Sequence, residues 1–472
     1  MRKAKIVCTI GPATSSPENM LRLVNAGMDV ARINRSHGGY EEHEAVYRNI
    51  RAAAEEAGRN VAVLVDLQGP KIRLGKFEED RKYFLEVGDI FTITTDDILG
   101  NQEICSTTHK GLPQDARVGD PILIDDGKVT VRVIEVEGNK VVTKCEVPGP
   151  LSNNKGLNLP GVAVSVPAMS DKDEDDLRWA IRLGADIIAL SFVRSARDYD
   201  DVRKVMEEEG RILPVVAKVE KPQAVDNLAE IVDAFDAIMV ARGDLGVELP
   251  LEQVPLVQKR AVELARRAAK PVIVATQVLE SMISSPRPTR AEASDCANAI
   301  LDGADAVMLS GETSVGDFPI EAVETMAKIV EATEELGRER IAPLGSTPHT
   351  RGGAITRAAA EIGETLGVKY IVTFTQSGDS ARRFARLRSP LQHLAFTPRS
   401  DVRSVLALSW GVTSRQVDQV ESTDAMVRQV DAKLQEDGLA ESGDLVVVVS
   451  GAPVGVSGTT NSILVHRIGD DI

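Results

Sequence analysis

PVVAKVE (Pro214–Glu220), AIMVARGD (Ala237–Asp244), PVIVATQ (Pro271–Gln277) and AVMLSGE (Ala306–Glu312) are short apolar runs rich in Val, Ile and Ala. Each ends in charged or hydroxyl groups and is followed by a stretch that reads as helix. Apolar runs without strict alternation, separated by helices, predict parallel strands buried on both faces. When such strands close into a barrel, their C-terminal ends open on one face, and that face carries the chemistry. Lys218, Glu220, Arg242, Gly243, Asp244 and Thr276 are therefore expected around one pocket.

The same rhythm extends outward. KIVCTIG (5–11), VARINRS (30–36) and VAVLVDL (61–67) precede the quoted group, and ADIIALSF (185–192) opens it, so three strands and then five complete a barrel of eight. The rhythm breaks at Gln68-Gly69-Pro70. From about Lys71 to Pro167 short strand-like runs are punctuated by Gly, Asp and Asn turns, which predicts an inserted all-β unit. After the linker-like GRERIAPLGSTPHT (337–350), helices alternate with the strand-like KYIVTFT, HLAFT, DLVVVVS and SILVHRI. The expected architecture is α/β: a (β/α)8 barrel (1–69 and 169–338), an inserted small β-barrel lid (70–168) and a C-terminal open α/β domain (339–472).

Bulk composition narrows the function. A total of 55 Lys and Arg against 71 Asp and Glu gives a net charge of −16, and aromatics are only 3%. Such a surface repels nucleic acid and anionic membranes, and few rings are available to stack on bases. No segment approaches the roughly 18 apolar residues of a membrane helix. Cys8, Cys105, Cys145 and Cys296 are widely spaced, without a CxxC pair. This argues against a zinc site or disulfide scaffold and fits a reducing cytoplasm.

Glu220 and Asp244 close neighbouring strands. Two carboxylates completed by water and substrate oxygens suit Mg²⁺ or Mn²⁺; the alternative is a pair of salt-bridged rim acids. Lys218, two residues before Glu220, points the same way from its strand. It can hold a transferring phosphoryl group or a developing enolate, pair with Glu220, or do both. Gly243 permits close backbone approach, and a helix starting there would offer free N–H groups to a carboxylate. Arg32, Asn34, Ser36 and His37 lie at strand two, Asp66 ends strand three and Arg73 follows. Two arginines at one mouth read as phosphate clamps, and Asn34, Ser36 and Asp66 offer oxygens for a further cation; an ordinary loop network is the alternative. Thr276 either caps a helix or relays a proton through water. In the C-terminal domain Thr375, Ser377, Gly378 and Ser380 form a hydroxyl-rich strand-to-helix loop. With the Gly/Thr-rich loop 451–461 it reads as a phosphate cradle, or else as two flexible turns.

KIVCTIGPAT, DVARINRSHG, VDLQGPKIR, KGLNLPG, AKVEKP, VARGDLGVELP, ATQVLESM, RPTRAE and MLSGETSVGDFP run in order from Lys5 to Pro319, and FTQSGDS follows. Together they resemble the pyruvate kinases over essentially the whole chain, and details such as LQGPKIRLG resemble actinobacterial members. The resemblance implies phosphoryl transfer from phosphoenolpyruvate to ADP, giving pyruvate and ATP in glycolysis. By motif matching, Glu220 and Asp244 would hold the divalent metal, and Lys218 would stabilise the phosphoryl group and the enolate. Thr276 would sit near the carbon that becomes the methyl group. Backbone around Arg242, Gly243 and Asp244 would hold the substrate carboxylate. Arg32 and Arg73 would contact phosphates, with Asn34, His37 and Lys155 toward the nucleotide.

It also implies a homotetramer in the cytoplasm, activated by a sugar phosphate or nucleoside monophosphate bound at 375–380. Many members bind K⁺ near Asn34, Ser36 and Asp66 and carry glutamate where this chain has Lys71; lysine there implies that K⁺ is not required. A second departure is Arg35, where the family usually has an apolar residue. It either points to solvent, adds charge beside the nucleotide, or perturbs packing under strand two. Two other readings compete: a different phosphoenolpyruvate-handling barrel such as a lyase or mutase, which would not need the lid or Arg32, Asn34, Arg73 and Lys155, and a non-catalytic sensor, which would lack Lys218, Glu220, Asp244 or Thr276.

Overall fold

A computed structural model describes residues 2–162, 165–167 and 169–470. Eight parallel strands form a closed barrel: β1 (Lys5–Thr9), β2 (Val30–Asn34), β3 (Ala62–Asp66), β4 (Ile187–Leu190), β5 (Val215–Val219), β6 (Ala237–Ala241), β7 (Val272–Ala275) and β8 (Ala306–Leu309). The helices used below are α1 (Tyr40–Glu56), α2 (Asp171–Leu183), α3 (Arg242–Glu248), α4 (Val254–Arg267) and α5 (Arg290–Asp302).

Strand alternation sorts the side chains. Val7, Val30, Leu64, Ala189, Val216, Met239, Ile273 and Met308 fill one core, inside the barrel. Ile6, Ile33, Val65, Ile188, Val240 and Val274 join a second core against the helices. Continuing the inward set toward the strand ends gives Thr9, Arg32, Asp66, Ser191, Lys218 and Glu220. The same periodicity that packs the interior thus turns polar at the mouth.

The lid leaves the barrel after β3. Its six-stranded sheet and two-stranded ribbon enclose a core of their own. The chain at 72–75 closes the sheet: Leu74 N donates to Lys155 O at 2.8 Å on one edge, and Gly75 N to Ser106 O at 2.8 Å on the other. The expected boundary at residue 168 lies outside the described residues. The exit hinge is a glycine by necessity. Gly69 has φ +76°, and a Cβ there would stand 2.6 Å from the Phe192 ring. Its N–H donates to Asp173 Oδ1 of α2 at 2.9 Å, while Asp173 and Ser170 form a capping box that starts the same helix.

The C-terminal domain is a five-stranded sheet in the order β11-β10-β9-β12-β13, from β9 (Tyr370–Phe374), β10 (Gln392–Thr397), β11 (Val412–Gln416), β12 (Leu445–Gly451) and an antiparallel β13 (Thr460–Arg467). Its Ala407 and Leu408 join the interior core of the barrel. Strand β11, VTSRQ, is an addition to the sequence reading. Its mixed polar composition lacks the apolar run that marked the others.

Arg35 does not face solvent, and it is 4% exposed. Its guanidinium pairs with Asp176 of α2 at 2.9 Å, donates to His43 of α1, and lies 4.4 Å from the Tyr40 ring centroid and 4.9 Å from that of Trp179. It is a packing residue that ties the strand-two loop to α2. Arg35→Phe leaves Asp176 with Lys172, 2.5 Å away, and the Tyr40 hydroxyl, so a stability loss toward the low end of about 3–5 kcal/mol is expected. Thermal melting should fall while nucleotide affinity stays within about threefold. Unchanged melting with a large loss of nucleotide affinity would refute the packing role.

Candidate active site

Lys218 is the centre of the mouth. Its ammonium lies 2.9 Å from Glu220 Oε1 and 3.2 Å from Asp66 Oδ1, and donates to Ser191 Oγ at 2.7 Å. Arg32 grips the other oxygen of Asp66 through Nε at 2.8 Å and Nη2 at 2.7 Å, and reaches Thr9 Oγ1 at 2.9 Å. Glu220 Oε2 accepts from Phe192 N at 2.8 Å. Five successive strands, β1 to β5, therefore contribute to one buried network.

Burial opposes every charge in it, so the shifts show which partners win. For Lys218 burial is outweighed by Asp66 and Glu220, and the ammonium is held above its ordinary range. For Asp66 burial is outweighed by Lys218 and Arg32, and the carboxyl is held below its range. Glu220 goes the other way: burial, reinforced by the charge of Asp244, overcomes Lys218 and raises its pKa. A buried acid pushed up by a neighbouring acid is a donor set short of positive charge.

That chemistry fits a divalent cation on Glu220 and Asp244. Among the described residues no group of three or more His, Cys, Asp or Glu side chains is arranged to hold a metal by itself. Two protein carboxylates, with the other positions left to water and substrate oxygens, suit Mg²⁺.

Asp244 sits in the first turn of α3, directly after β6. The Arg242 side chain turns away from the cleft. It forks onto Asp295 of α5 at 2.7 Å through each terminal nitrogen, and donates to Thr276 O at 2.9 Å. This clamp holds a strained turn, because Thr276 and Gln277 have φ of +67° and +53°, unfavourable for a β-branched residue in particular. The turn presents Thr276 Oγ1 to Gly243 N at 2.7 Å while the hydroxyl donates to Ala275 O at 2.7 Å. Glu312, at the end of the fourth quoted stretch, is fully buried and accepts from Leu279 N and Ser310 N. It braces this face from below.

The lid supplies the rest. A cleft of about 610 Å³ lies between mouth and lid, lined by Lys71, Asn158, Phe192, Lys221 and Asp244 among others. Arg73 stands on the lid rather than beside Arg32, with Nη1 on Asn154 O at 3.0 Å. Lys155 is its near neighbour and pairs with Asp125 at 3.1 Å. Asn34 Oδ1 accepts from Ser36 N at 3.1 Å, which fixes the loop carrying the exposed His37. Lys71 is not paired with Asp66. Its Nζ lies 3.7 Å from where a Cβ on Gly156 would stand.

Two contributions went unpicked by the sequence reading. Ser191 and Phe192, at the end of β4, receive Lys218 and anchor Glu220; the strand was recognised but its last polar position was not. Asn158 of the lid donates to Glu248 of α3 at 3.0 Å, and Lys221 pairs with the same carboxylate at 2.5 Å. This buried latch joins lid to barrel and has no local sequence signal.

In the C-terminal domain Gly378 N donates to Thr375 Oγ1 at 2.8 Å, and Ser380 Oγ meets Thr460 Oγ1 at 2.6 Å. The two hydroxyl-rich loops thus come together around a cleft of about 580 Å³.

Comparison with known proteins agrees with this arrangement. Residues 1–323 match the model of the pyruvate kinase barrel domain, and residues 353–466 that of the pyruvate kinase alpha/beta domain. The pyruvate kinase of Mycobacterium intracellulare is 57% identical over 470 residues, covering 100% of this chain and 99% of that one. That of Corynebacterium glutamicum is 56% identical over 470 residues, covering 100% and 98%. A crystal structure of a pyruvate kinase from Cryptosporidium parvum superposes with a TM-score of 0.93 at 35% identity, covering 99% of this chain and 96% of that one. The chain belongs to the pyruvate kinase family of phosphotransferases.

Proposed function

We propose that the barrel mouth transfers the phosphoryl group of phosphoenolpyruvate to ADP, giving pyruvate and ATP. The observation that carries this reading is Lys218 locked in its charged form between Asp66 and Glu220. Phosphoryl transfer needs positioning and charge neutralisation more than covalent help. Lys218 faces the cleft as a fixed positive charge for the moving group and for the enolate left behind. Because its pKa is raised, it is a poor proton donor, and the proton for the enolate carbon falls instead to water ordered by Thr276. Gly243 N, now on Thr276 Oγ1, is the backbone donor suited to the substrate carboxylate. Arg242 acts by holding that turn. Arg32 serves the phosphate from the barrel, and Arg73 and Lys155 serve the nucleotide from the lid, with Asn34 and His37 opposite. Glu220 and Asp244 would hold Mg²⁺ or Mn²⁺, which when bound supplies charge neutralisation to the phosphate oxygens. The latch at Asn158–Glu248 excludes water that would otherwise take the phosphoryl group.

The domain division proposed is 1–69 with 169–338, 70–168 and 339–472. Activity without K⁺ is proposed from Lys71, whose ammonium forms no ion pair among the described residues and whose charge is therefore at the disposal of the cleft. The cleft between loops 375–380 and 451–461 is proposed to take a phosphorylated activator, a sugar phosphate or nucleoside monophosphate, through Thr375, Ser377, Gly378 and Ser380. A cytoplasmic homotetramer is the assembly proposed.

Pyruvate formation from phosphoenolpyruvate, ADP and Mg²⁺ should reach its full rate in potassium-free buffer, and Lys71→Glu should make the rate depend on added K⁺. Full dependence of the unaltered enzyme on K⁺ would discard the role of Lys71 while leaving the activity. Lys218→Met should lower kcat by about 10³ or more, on the scale of losing a transition-state charge, with phosphoenolpyruvate binding less affected; a KM effect alone would contradict the assignment. Ser377→Glu should abolish activation by phosphorylated metabolites without changing the basal rate. If activation survives, the effector binds elsewhere.

A further inference from the structure

Three arginines meet where the barrel joins the C-terminal domain. Arg266 comes from α4, and Arg386 and Arg388 from the turn that follows α6 (Asp379–Ala385). With Lys270, Asp305 and Ser409 they line a cleft of about 200 Å³, counting its open mouth. The three are 4–6% exposed. Their terminal nitrogens are spent on backbone carbonyls: Arg266 on Ala342 O and Arg386 O at 3.0 and 3.2 Å, Arg386 on Arg267 O at 2.7 Å, and Arg388 on Ala385 O and Gly303 O at 2.7 and 2.5 Å.

The Nε–H groups of all three, and Ser409 Oγ, have no partner. Among the described residues one carboxylate is in ion-pair contact with them, while the charges of Glu263 and Asp379 reach Arg266 and Arg386 from further off. Asp305 lies 3.1 Å from Arg388 and also accepts from Val272 N and Trp410 N. Lys270 and Arg382, on the same cleft, are turned to carbonyls of Val232, Asp233 and Ser377, yet their charges remain. The charge of Asp236 reaches both Lys270 and Arg382, that of Asp233 reaches Lys270, and that of Asp379 reaches Arg382. Burial, and then the charge of Arg388, brings Arg266 down to about 10. Buried donors are rarely left unpaired, and buried charges are normally balanced. Here several of the first and a surplus of positive charge share one small space.

We propose that this interdomain cleft is an anion site, that its ligand is a free tetrahedral oxyanion with inorganic phosphate as the physiological case, and that the anion ties the barrel to the C-terminal domain. Multiple N–H donors and a hydroxyl suit an array of oxygens. The space has no room for the body of a sugar phosphate or nucleotide. The site lies at the opposite end of α6 from the 375–380 loop, about 10 Å away at 1.5 Å per residue, and does not depend on that loop's reading.

The test uses crystals of the full chain soaked in selenate, whose anomalous signal locates the ion. A peak between Arg266 and Arg388 is expected, absent in crystals of Arg266→Gln. Peaks confined to the barrel mouth or the 375–380 loop would overturn the inference. In solution, phosphate at about tenfold its Kd should raise the melting midpoint by about 2 °C or more over chloride of equal ionic strength. The gain should persist in Ser377→Glu and vanish in Arg266→Gln, or in Arg386→Gln should the first variant fold poorly. A larger gain from glucose 6-phosphate through the same arginines would overturn the free oxyanion as the ligand.

Discussion

The rest of the mouth depends on one buried ion network, Arg32–Asp66–Lys218–Glu220. A single lysine between two carboxylates keeps its charge because both attractions together exceed the cost of burial, which neither need do alone. The linkage signs agree. Lys218, with its raised pKa, contributes stability fully present below about pH 10.4 and lost only as pH rises through the higher folded value. Asp66, with its lowered pKa, contributes stability present above about pH 3.9 and lost as pH falls. Both contributions are complete across the neutral range. Glu220 is the strained member: its raised pKa means that ionising it costs stability as pH rises past about 4.3. A divalent cation held by Glu220 and Asp244 would relieve that cost, so affinity for the cation and tension in the unliganded network would be one quantity seen from two sides.

The second constraint is backbone strain, and it lies beside the first. Thr276 at positive φ is unfavourable by itself and persists because Arg242, forked on Asp295, holds its carbonyl. An arginine with a functional look in the sequence thus works at one remove, by holding the turn in which the Thr276 hydroxyl receives the Gly243 N–H. Preorganised donors of this kind cost no rearrangement during the reaction.

How far the sequence could be read follows from the range of each interaction. Strand periodicity is local, so the eight barrel strands and the polar residues at their ends were legible. Arg35 was not. Its meaning lies in Asp176, 141 positions away, with His43, Tyr40 and Trp179, and nothing around residue 35 announces them. Arg73 read as a companion of Arg32 because it follows the end of strand three, whereas the chain has by then entered the lid, where its side chain bonds Asn154 O. Strand β11 escaped because a strand with mixed polar composition has no apolar run to betray it.

The interdomain arginines belong to the same class of long-range feature, but with the opposite balance. In the network Arg32–Asp66–Lys218–Glu220 two cations face two acids, and each charge has an ion-pair partner. At the barrel's junction with the C-terminal domain, Arg266, Arg386 and Arg388 have Asp305 as their one ion-pair partner among the described residues. Their terminal nitrogens cap the carbonyl ends of α4, α5 and α6, which favours cations there and explains why arginines gather at that point. Capping uses the ends of the guanidinium forks and leaves Nε and the net charge unanswered. Structural need therefore accounts for the positions of these side chains and not for their surplus, and an anion is the simplest chemistry that completes the set.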